Sequence, residues 1–424
     1  MKTIKLGIIG LGTVGSGVVR IIQKNQQKIR ETSGCCLQIK TIVVADRTKK
    51  RKVDLQGIKI TDQINDLLDD NEIQIVIEVM GTIQPAQTYI EALLKSGKNV
   101  ITANKDLLAT NGSQLIECAQ QNHVNLSYEA SVAGGIPILR TISNSFTADQ
   151  IIEVSGIVNG TSNYILTQMA ENHSTYQEAL QNAQALGLAE HDPTNDVSGK
   201  DSAYKMAILA EFAFGTTVPL EKIAISGIEQ VTKNDILQAQ KYGYAIKLVG
   251  QAKILEDNLS VSVQPMFVKK GHPLANIKDE NNAVLVTGSA VGEILFYGAG
   301  AGELPTANSI LSDVIATIKD IQLNITGSKF NNFSRTTNII DASKEDHKYF
   351  LSFNSDGNIL PPTKIRQNLR KSGINLDAAV AVDNSAAGAN YQTQLLSKSQ
   401  FNFLKQKGRH SDKLHLDLIY PILD

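Results

Sequence analysis

The chain has 424 residues, too many for one hydrophobic core, so two or three domains are expected. Its composition is 42% apolar and 20% charged with a formal net charge of −1, which sets aside nucleic acid and anionic membranes as main partners. Cys35, Cys36 and Cys118 include a vicinal pair unsuited to a structural disulfide and show no metal-ligand spacing. A reducing cytoplasm fits, and no stretch approaches the roughly 20 apolar residues of a membrane span.

The opening apolar run is short and leads straight into a glycine loop, so it reads as a strand, Leu6 to Ile9, and not as a signal peptide. Gly10-Leu11-Gly12-Thr13-Val14-Gly15 follows, and then Ser16 to Lys28 with helical apolar spacing at Val18, Val19, Ile21, Ile22 and Ile29. Strand, glycine loop and helix in this order make a dinucleotide site. Gly10 permits the tight turn, Gly12 lets a pyrophosphate approach the backbone, and Gly15 allows close helix-to-strand packing. Thr13 and Val14 open the helix whose N-terminus meets the phosphates.

The second strand, Leu37 to Ala45, ends at Asp46-Arg47, later than the roughly 20 residues expected after the glycines. The excess lies in the Glu31 to Cys36 loop. An acidic residue here holds the ribose 2′-hydroxyl of NAD, while Arg47 and the run Lys49-Lys50-Arg51-Lys52 suit the 2′-phosphate of NADP. Arginine forks a phosphate, so the reading leans to NADP with NAD possible; a solvated basic loop is the plainer alternative.

Strands at Ile73 to Val79, Lys98 to Thr102 and Val124 to Tyr128 alternate with helices at Pro85 to Ser96 and Asp106 to Gln121. The alternation predicts a Rossmann-type, doubly wound parallel sheet over residues 1–130. Lys105 follows a strand end and points into the cofactor crevice or caps the next helix. In Glu129-Ala130-Ser131-Val132-Ala133-Gly134-Gly135-Ile136-Pro137 a carboxylate stands among glycines, which suits carbonyls gathered on a hard cation or a simple chain reversal.

From 131 to 330 a second, α+β domain with a mixed sheet is expected. It opens with strand Ile151 to Val158, the turn Asn159-Gly160-Thr161-Ser162-Asn163, and helices Tyr164 to Glu171 and Tyr176 to Ala185. Glu190, Asp192, Asp196 and Asp201 then crowd around a proline and a glycine just before the apolar helix that carries Lys205. Buried charges need partners or a ligand. Ser198 with Asp201 reads as a capping box and Gly215 as the helix stop. Asp201 and Lys205, four apart, share a helix face, either as a site or as a surface ion pair. Strands Ala245 to Leu255, Leu259 to Val268, Ala283 to Val291 and Glu293 to Tyr297 follow, then the glycine-rich stretch Gly298 to Ala307. Pro305 starts a helix to about Asp320, with 305–322 returning to the first domain.

Taken together, GLGTVG, TANK, EASVAGGIP, GIVNGTSNYIL, AEHDPTNDVSGKDSAYKMAIL and GAGAGELPTA, in matching order from Ile4 to about Asp320, strongly resemble homoserine dehydrogenase. The resemblance implies reversible NAD(P)-dependent oxidation of L-homoserine to L-aspartate 4-semialdehyde, on the route to threonine, methionine and isoleucine. It implies a cytoplasmic homodimer of the monofunctional form. Position by position, Lys205 matches the proposed catalytic lysine, and Glu190 and Asp201 match the acids that hold homoserine, with Asp196, Gly160 and Thr161 beside them. Lys105 matches the lysine between cofactor and substrate. Gly187 and Gly302 match cofactor contacts, and Glu129, Val132, Gly134 and Ile136 match a sodium position, where the last three contribute only carbonyls.

After a polar stretch to Lys344, residues 345–424 read as a small βαββαβ domain: strand Tyr349 to Phe353, helix Thr363 to Ser372, strands Ile374 to Val382 and Tyr391 to Leu396, helix Gln400 to Gln406 and strand Lys413 to Leu418. The order resembles an ACT regulatory domain. Such domains often bind an amino acid at a glycine turn after the first strand. Ser355-Asp356-Gly357-Asn358 stands there without the usual proline-glycine, so a domain that only assists dimerisation is an equally simple reading.

Two other functions fit parts of the chain. A phosphorylating semialdehyde dehydrogenase needs a cysteine nucleophile in the second domain, and no cysteine follows Cys118. A non-catalytic NADP-sensing regulator would share the glycine loop but has no need for the residues from Glu190 to Lys205.

Overall fold

The computed structural model describes residues 2–341, 345–354, 367, 369–371, 373–374, 388–397, 399–404 and 415–424. In chain order the elements begin β1 (Lys2–Ile9), α1 (Thr13–Lys24), α2 (Gln26–Ser33), β2 (Cys35–Val43), β3 (Lys59–Thr61), α3 (Asn65–Leu68), β4 (Ile73–Glu78) and α4 (Ala86–Lys95). They continue with β5 (Asn99–Thr102), α5 (Lys105–Gln121), β6 (Leu126–Ser127), α6 (Ile138–Ser145), β7 (Ile151–Ile157), α7 (Gly160–Glu171), α8 (Tyr176–Ala185), α9 (Thr194–Val197) and α10 (Lys200–Phe214). Next come β8 (Ala224–Ile225), α11 (Lys233–Lys241), β9 (Tyr244–Leu255), β10 (Asn258–Lys269), β11 (Asn281–Gly288), β12 (Gly292–Ala299) and α12 (Glu303–Leu323). The chain closes with β13 (Asn338–Ile339), β14 (Tyr349–Asn354), β15 (Gly388–Gln392) and β16 (His415–Leu423). No helix among the described residues is long and apolar enough to cross a membrane.

The chain forms two compact units. The first comprises Met1–Val154, Tyr204–Leu220 and Asn281–Thr337. Its sheet runs β3-β2-β1-β4-β5-β6, parallel throughout, as the strand-helix alternation predicts. Strands covered on both faces need apolar residues on both, and in β1 Ile4, Leu6 and Ile8 sit in the core. They pack with Val18, Val19 and Ile22 of α1 and with Ala307, Ile310, Val314 and Ile318 of α12. Burying each such aliphatic side chain contributes about 1.5–3 kcal/mol.

Several expected boundaries move, each for a local reason. The helix from Ser16 does not reach Lys28: Asn25 leaves helical backbone, donating its N–H to Ile21, and starts α2 in the same step. The extra length before β2 is therefore mostly helix, closed by Gly34 at φ +69°. Strand Val124 to Tyr128 shortens to β6, because Glu129–Ser131 turns as a 3₁₀ helix. The helix placed at Pro305 starts at Glu303 and runs to Leu323, with Gly302 as its N-cap.

The second unit comprises Ser155–Ala203, Glu221–Glu280 and Asn338–Asp424. β9 and β10 form a long antiparallel pair in register from Tyr244↔Lys269 to Leu255↔Asn258. Asn159-Gly160-Thr161-Ser162-Asn163 is not a free turn. α7 begins at Gly160, and Asn159 caps it by accepting the Ser162 N–H. Ser198 is not an N-cap either; it ends α9 in right-handed helical backbone, and Gly199 turns the chain at φ +83° before α10. Gly215, at φ +68°, follows the last residue of α10. α11 carries a true capping box, Thr232 with Asp235, a signal the sequence holds openly.

At the C-terminus β14 pairs antiparallel with β15 and β16 around Tyr349, Leu351, Phe353, Leu369, Tyr391 and Leu404. The strand expected at Lys413 to Leu418 extends to Leu423, and its end pairs in parallel with β10 at Phe267↔Ile422. Tyr420 stacks on Phe267 at 4.9 Å, so this tail shares the β10 sheet. The Ser355 to Asn358 turn, most of helix Thr363 to Ser372 and most of strand Ile374 to Val382 lie outside the described residues.

Candidate active site

In the first unit, Gly10 holds φ +97°, and a Cβ there would stand 2.7 Å from the Val79 carbonyl oxygen. A Cβ on Gly15 would meet the Gly10 carbonyl oxygen at 2.3 Å, so the loop closes only without side chains. At Gly12 a Cβ would meet nothing within 4 Å. Gly12 and Thr13 are exposed, Val14 is half-buried, and Gly12 caps α1 without a side-chain bond. Open backbone amides at a helix start are what a pyrophosphate needs. Beside this start lies that of α12: Gly17 approaches Glu303 so closely that a Cβ would fall 2.6 Å from its carbonyl oxygen. Gly302, at φ +117°, therefore borders the same region.

Beyond β2, a shallow pocket is lined by Ala45, Asp46, Arg47, Thr48, Ile60 and Asp62. Asp46 accepts the Thr48 hydroxyl at 2.6 Å and amide at 2.8 Å, which hold its carboxyl below the usual range. Arg51 is also committed, donating to the carbonyls of Asp46 and Lys49 at 2.6 Å each. Arg47 is thus the guanidinium of this loop that lines the pocket.

Lys105, half-buried, opens α5 just after β5, with Nζ 3.6 Å from Asp106. The start of α5 is fixed by a relay that the sequence did not disclose. Thr102 donates to buried Glu78 at 2.6 Å, the Asn104 N–H donates to Thr102 Oγ1 at 3.0 Å, and the Asn104 side chain caps Leu107. Burial raises the Glu78 pKa.

Glu129 is buried, and its two oxygens accept the amides of Leu139 at 2.8 Å and Arg140 at 2.7 Å. A carboxylate distant in sequence therefore caps α6. Asp313, fully buried on α12, accepts the Glu129 N–H at 2.9 Å and pairs with Arg140. Burial drives Glu129 up to about 7 and Asp313 up to about 6. When both ionise, two carboxylates face one arginine, leaving one negative charge. The Gly134 carbonyl accepts the Ser309 hydroxyl at 2.7 Å and the Ile136 carbonyl accepts the Ile138 N–H at 2.8 Å; Val132 is buried beside them. Among the described residues no group of three or more His, Cys, Asp or Glu could hold a metal.

In the second unit, buried Asn159 donates to Asp196 Oδ1 and to Asp201 Oδ2, each at 2.8 Å. Ser162 donates to the Asp196 carbonyl at 2.8 Å, and Thr161 to that of Leu188 at 2.7 Å. Gly160 lies against the Glu280 carbonyl oxygen, 2.6 Å from where a Cβ would stand. Gly187, at φ +72°, turns the chain after α8. Glu190 is exposed, its carbonyl held by Gln184 at 3.2 Å. Asp201 is 6% exposed; Lys205, one helical turn later on α10, is half-buried and belongs to the first unit. Sequence reasoning missed Asn159, Asp313, Arg140 and Glu78, all of which act through partners far along the chain.

A family model described as the NAD binding domain of homoserine dehydrogenase matches residues 10–129, and one described as homoserine dehydrogenase matches 137–315. The homoserine dehydrogenase of Bacillus subtilis (strain 168) is 44% identical over 377 residues, covering 89% of this chain and 87% of that protein. That of Lactococcus lactis subsp. lactis (strain IL1403) is 44% identical over 352 residues, 82% of each. The crystal structure of a homoserine dehydrogenase from Thiobacillus denitrificans superposes with a TM-score of 0.93 at 32% identity, over 100% of this chain and 99% of that one. On these matches, with a glycine cradle and an acidic loop where the family motifs fall, the chain belongs to the homoserine dehydrogenase family.

Proposed function

We propose that the protein oxidises L-homoserine reversibly to L-aspartate 4-semialdehyde with a nicotinamide dinucleotide. The glycine loop binds cofactor: Gly10, Gly12, Thr13, Val14 and Gly15 seat the pyrophosphate on α1, with Gly302 and Gly187 as further backbone contacts. The favoured cofactor is NADP, with NAD accepted, because Asp46 is turned onto Thr48 while Arg47 lines the pocket. A nicotinamide cofactor held there would supply the acceptor for the hydride of the carbinol carbon.

Glu190 holds the substrate ammonium, Asp201 and Asp196 orient the chain with Gly160 and Thr161, and Lys205 takes the hydroxyl proton and returns it in the reverse direction. Lys105 stands on the cofactor side of the same proton path. The observation that carries this reading is a buried, hydrogen-bonded Asp201 one turn before Lys205 on a rigid helix. A monovalent cation such as sodium at Glu129, Val132, Gly134 and Ile136 would answer the unbalanced charge there. A homodimer is supported by the exposed Leu295 and Tyr297 on β12, which among the described residues pairs with β11 alone. The C-terminal strands serve as an ACT-like module.

The test is reduced-cofactor formation with L-homoserine at alkaline pH, with NADP and NAD side by side and L-serine and L-threonine as controls. Turnover on homoserine alone, faster with NADP, is expected. Cofactor binding without turnover on any of them would favour an NADP-sensing regulator.

A further inference from the structure

Asn159 is 4% exposed, and every polar atom of its side chain is used within the second unit. Its Oδ1 accepts the Ser162 N–H at 2.8 Å, and its Nδ2 donates one hydrogen to Asp196 and the other to Asp201. Oxygen and nitrogen of the amide are told apart by these partners, since only the NH₂ group can serve two carboxylates. Two carboxylates on one bridging group repel each other, and a like charge nearby favours protonation. Two amide hydrogens shared between them offset that repulsion and set their spacing.

The amide is itself held rigidly. One turn along α7, Asn163 donates to the carbonyls of Asp279 at 2.8 Å and Ile277 at 3.2 Å, and its Oδ1 accepts from buried Lys247 at 3.1 Å. Gly160 seats the first turn against Glu280. The start of α7 that carries Asn159 is thus anchored by contacts that do not involve the acids it serves.

We propose that Asn159 is a positioning residue for homoserine oxidation, holding Asp196 and Asp201 in register to receive the substrate. The proposal rests on the reading of those two aspartates as substrate-holding. Its function is separable from helix capping, because aspartate and serine also cap helices well but neither supplies two amide hydrogens.

The test compares Asn159→Asp and Asn159→Ser with the full-length wild type. Asn159→Ser should keep the melting temperature, and both should keep the NADP dissociation constant, while the KM for L-homoserine rises about tenfold or more. Asn159→Asp, placing a third carboxylate between two, should be the worse. If Asn159→Asp does not fold, Asn159→Ser alone decides. Wild-type KM and kcat in a folded Asn159→Ser would overturn the proposal and leave Asn159 a helix cap. Asp201→Asn is the control: loss of homoserine affinity there with Asn159→Ser unaffected sinks the positioning role alone, while an unaffected Asp201→Asn sinks the substrate reading as well.

Discussion

The two candidate half-sites differ in what fixes them. Around Gly10, Gly12 and Gly15 the geometry comes from absent side chains: a Cβ at 2.3 Å from Gly10 oxygen cannot exist, so Gly15 is required before any ligand arrives. Around Asp196 and Asp201 it comes from side chains present, two acids bridged by one amide across 37 and 42 residues of sequence. A backbone site can lose affinity without losing its fold. A side-chain network fixes charge and shape together, so its substitutions are read in turnover.

The largest effect should come from the helix that follows the acids. Lys205→Ala is expected to lower kcat by about 10²–10⁴-fold, the usual worth of a positioned proton carrier, with NADPH affinity by fluorescence titration unchanged. Weakened cofactor binding with turnover retained would transfer the proton role to Lys105 and blur the division between the half-sites. Second in size is Gly12→Ala. Its Cβ meets nothing in the protein, so melting should be unchanged while cofactor affinity falls about tenfold, or 1.4 kcal/mol. Gly15→Ala should instead lower the melting temperature, because its Cβ collides with backbone. Equal cofactor affinity in Gly12→Ala and wild type would mean that the open amides are not the pyrophosphate seat.

These contrasts match what was legible in the sequence. The glycine loop and apolar periodicity act over a few residues, so the parallel sheet, its helices and the cradle could be read directly. Lys205 and Asp201 share a helix and were paired on spacing alone. Asn159 was visible only as part of a turn, since its partners are set by the return of the chain. α6 was missed because Glu129 caps it from beyond its own first turn, and Ser198 was misread because α9 intervenes.

A smaller effect is expected at the pocket beyond β2. Arg47→Ala should weaken NADP about three- to fivefold, in keeping with up to about 1 kcal/mol for an exposed ion pair, and leave NAD nearly unchanged. Asp46 makes the complementary case: held by Thr48, it contributes little to NAD ribose, so Asp46→Asn should alter NAD binding only slightly. Equal losses of NADP and NAD in Arg47→Ala would remove the 2′-phosphate contact.

The smallest expected effect lies where the backbone and side-chain modes meet, at Glu129 and Asp313. Burial raises both, to about 7 and about 6. The folded state therefore binds these protons more tightly than the unfolded chain, and the associated stability is full below the ordinary carboxylate range and lost as pH rises through 6 and 7. A cation on the Val132, Gly134 and Ile136 carbonyls would replace the missing proton charge. At pH 8, sodium chloride should then raise the melting temperature above that in choline chloride of equal ionic strength, by about 2–4 °C for each kcal/mol of binding. At pH 5.5 the gap should narrow, because protons already balance the excess carboxylate beside Arg140. Identical melting in the two salts at pH 8 would leave Glu129 as a helix cap alone, and the cradle of glycines around it as packing.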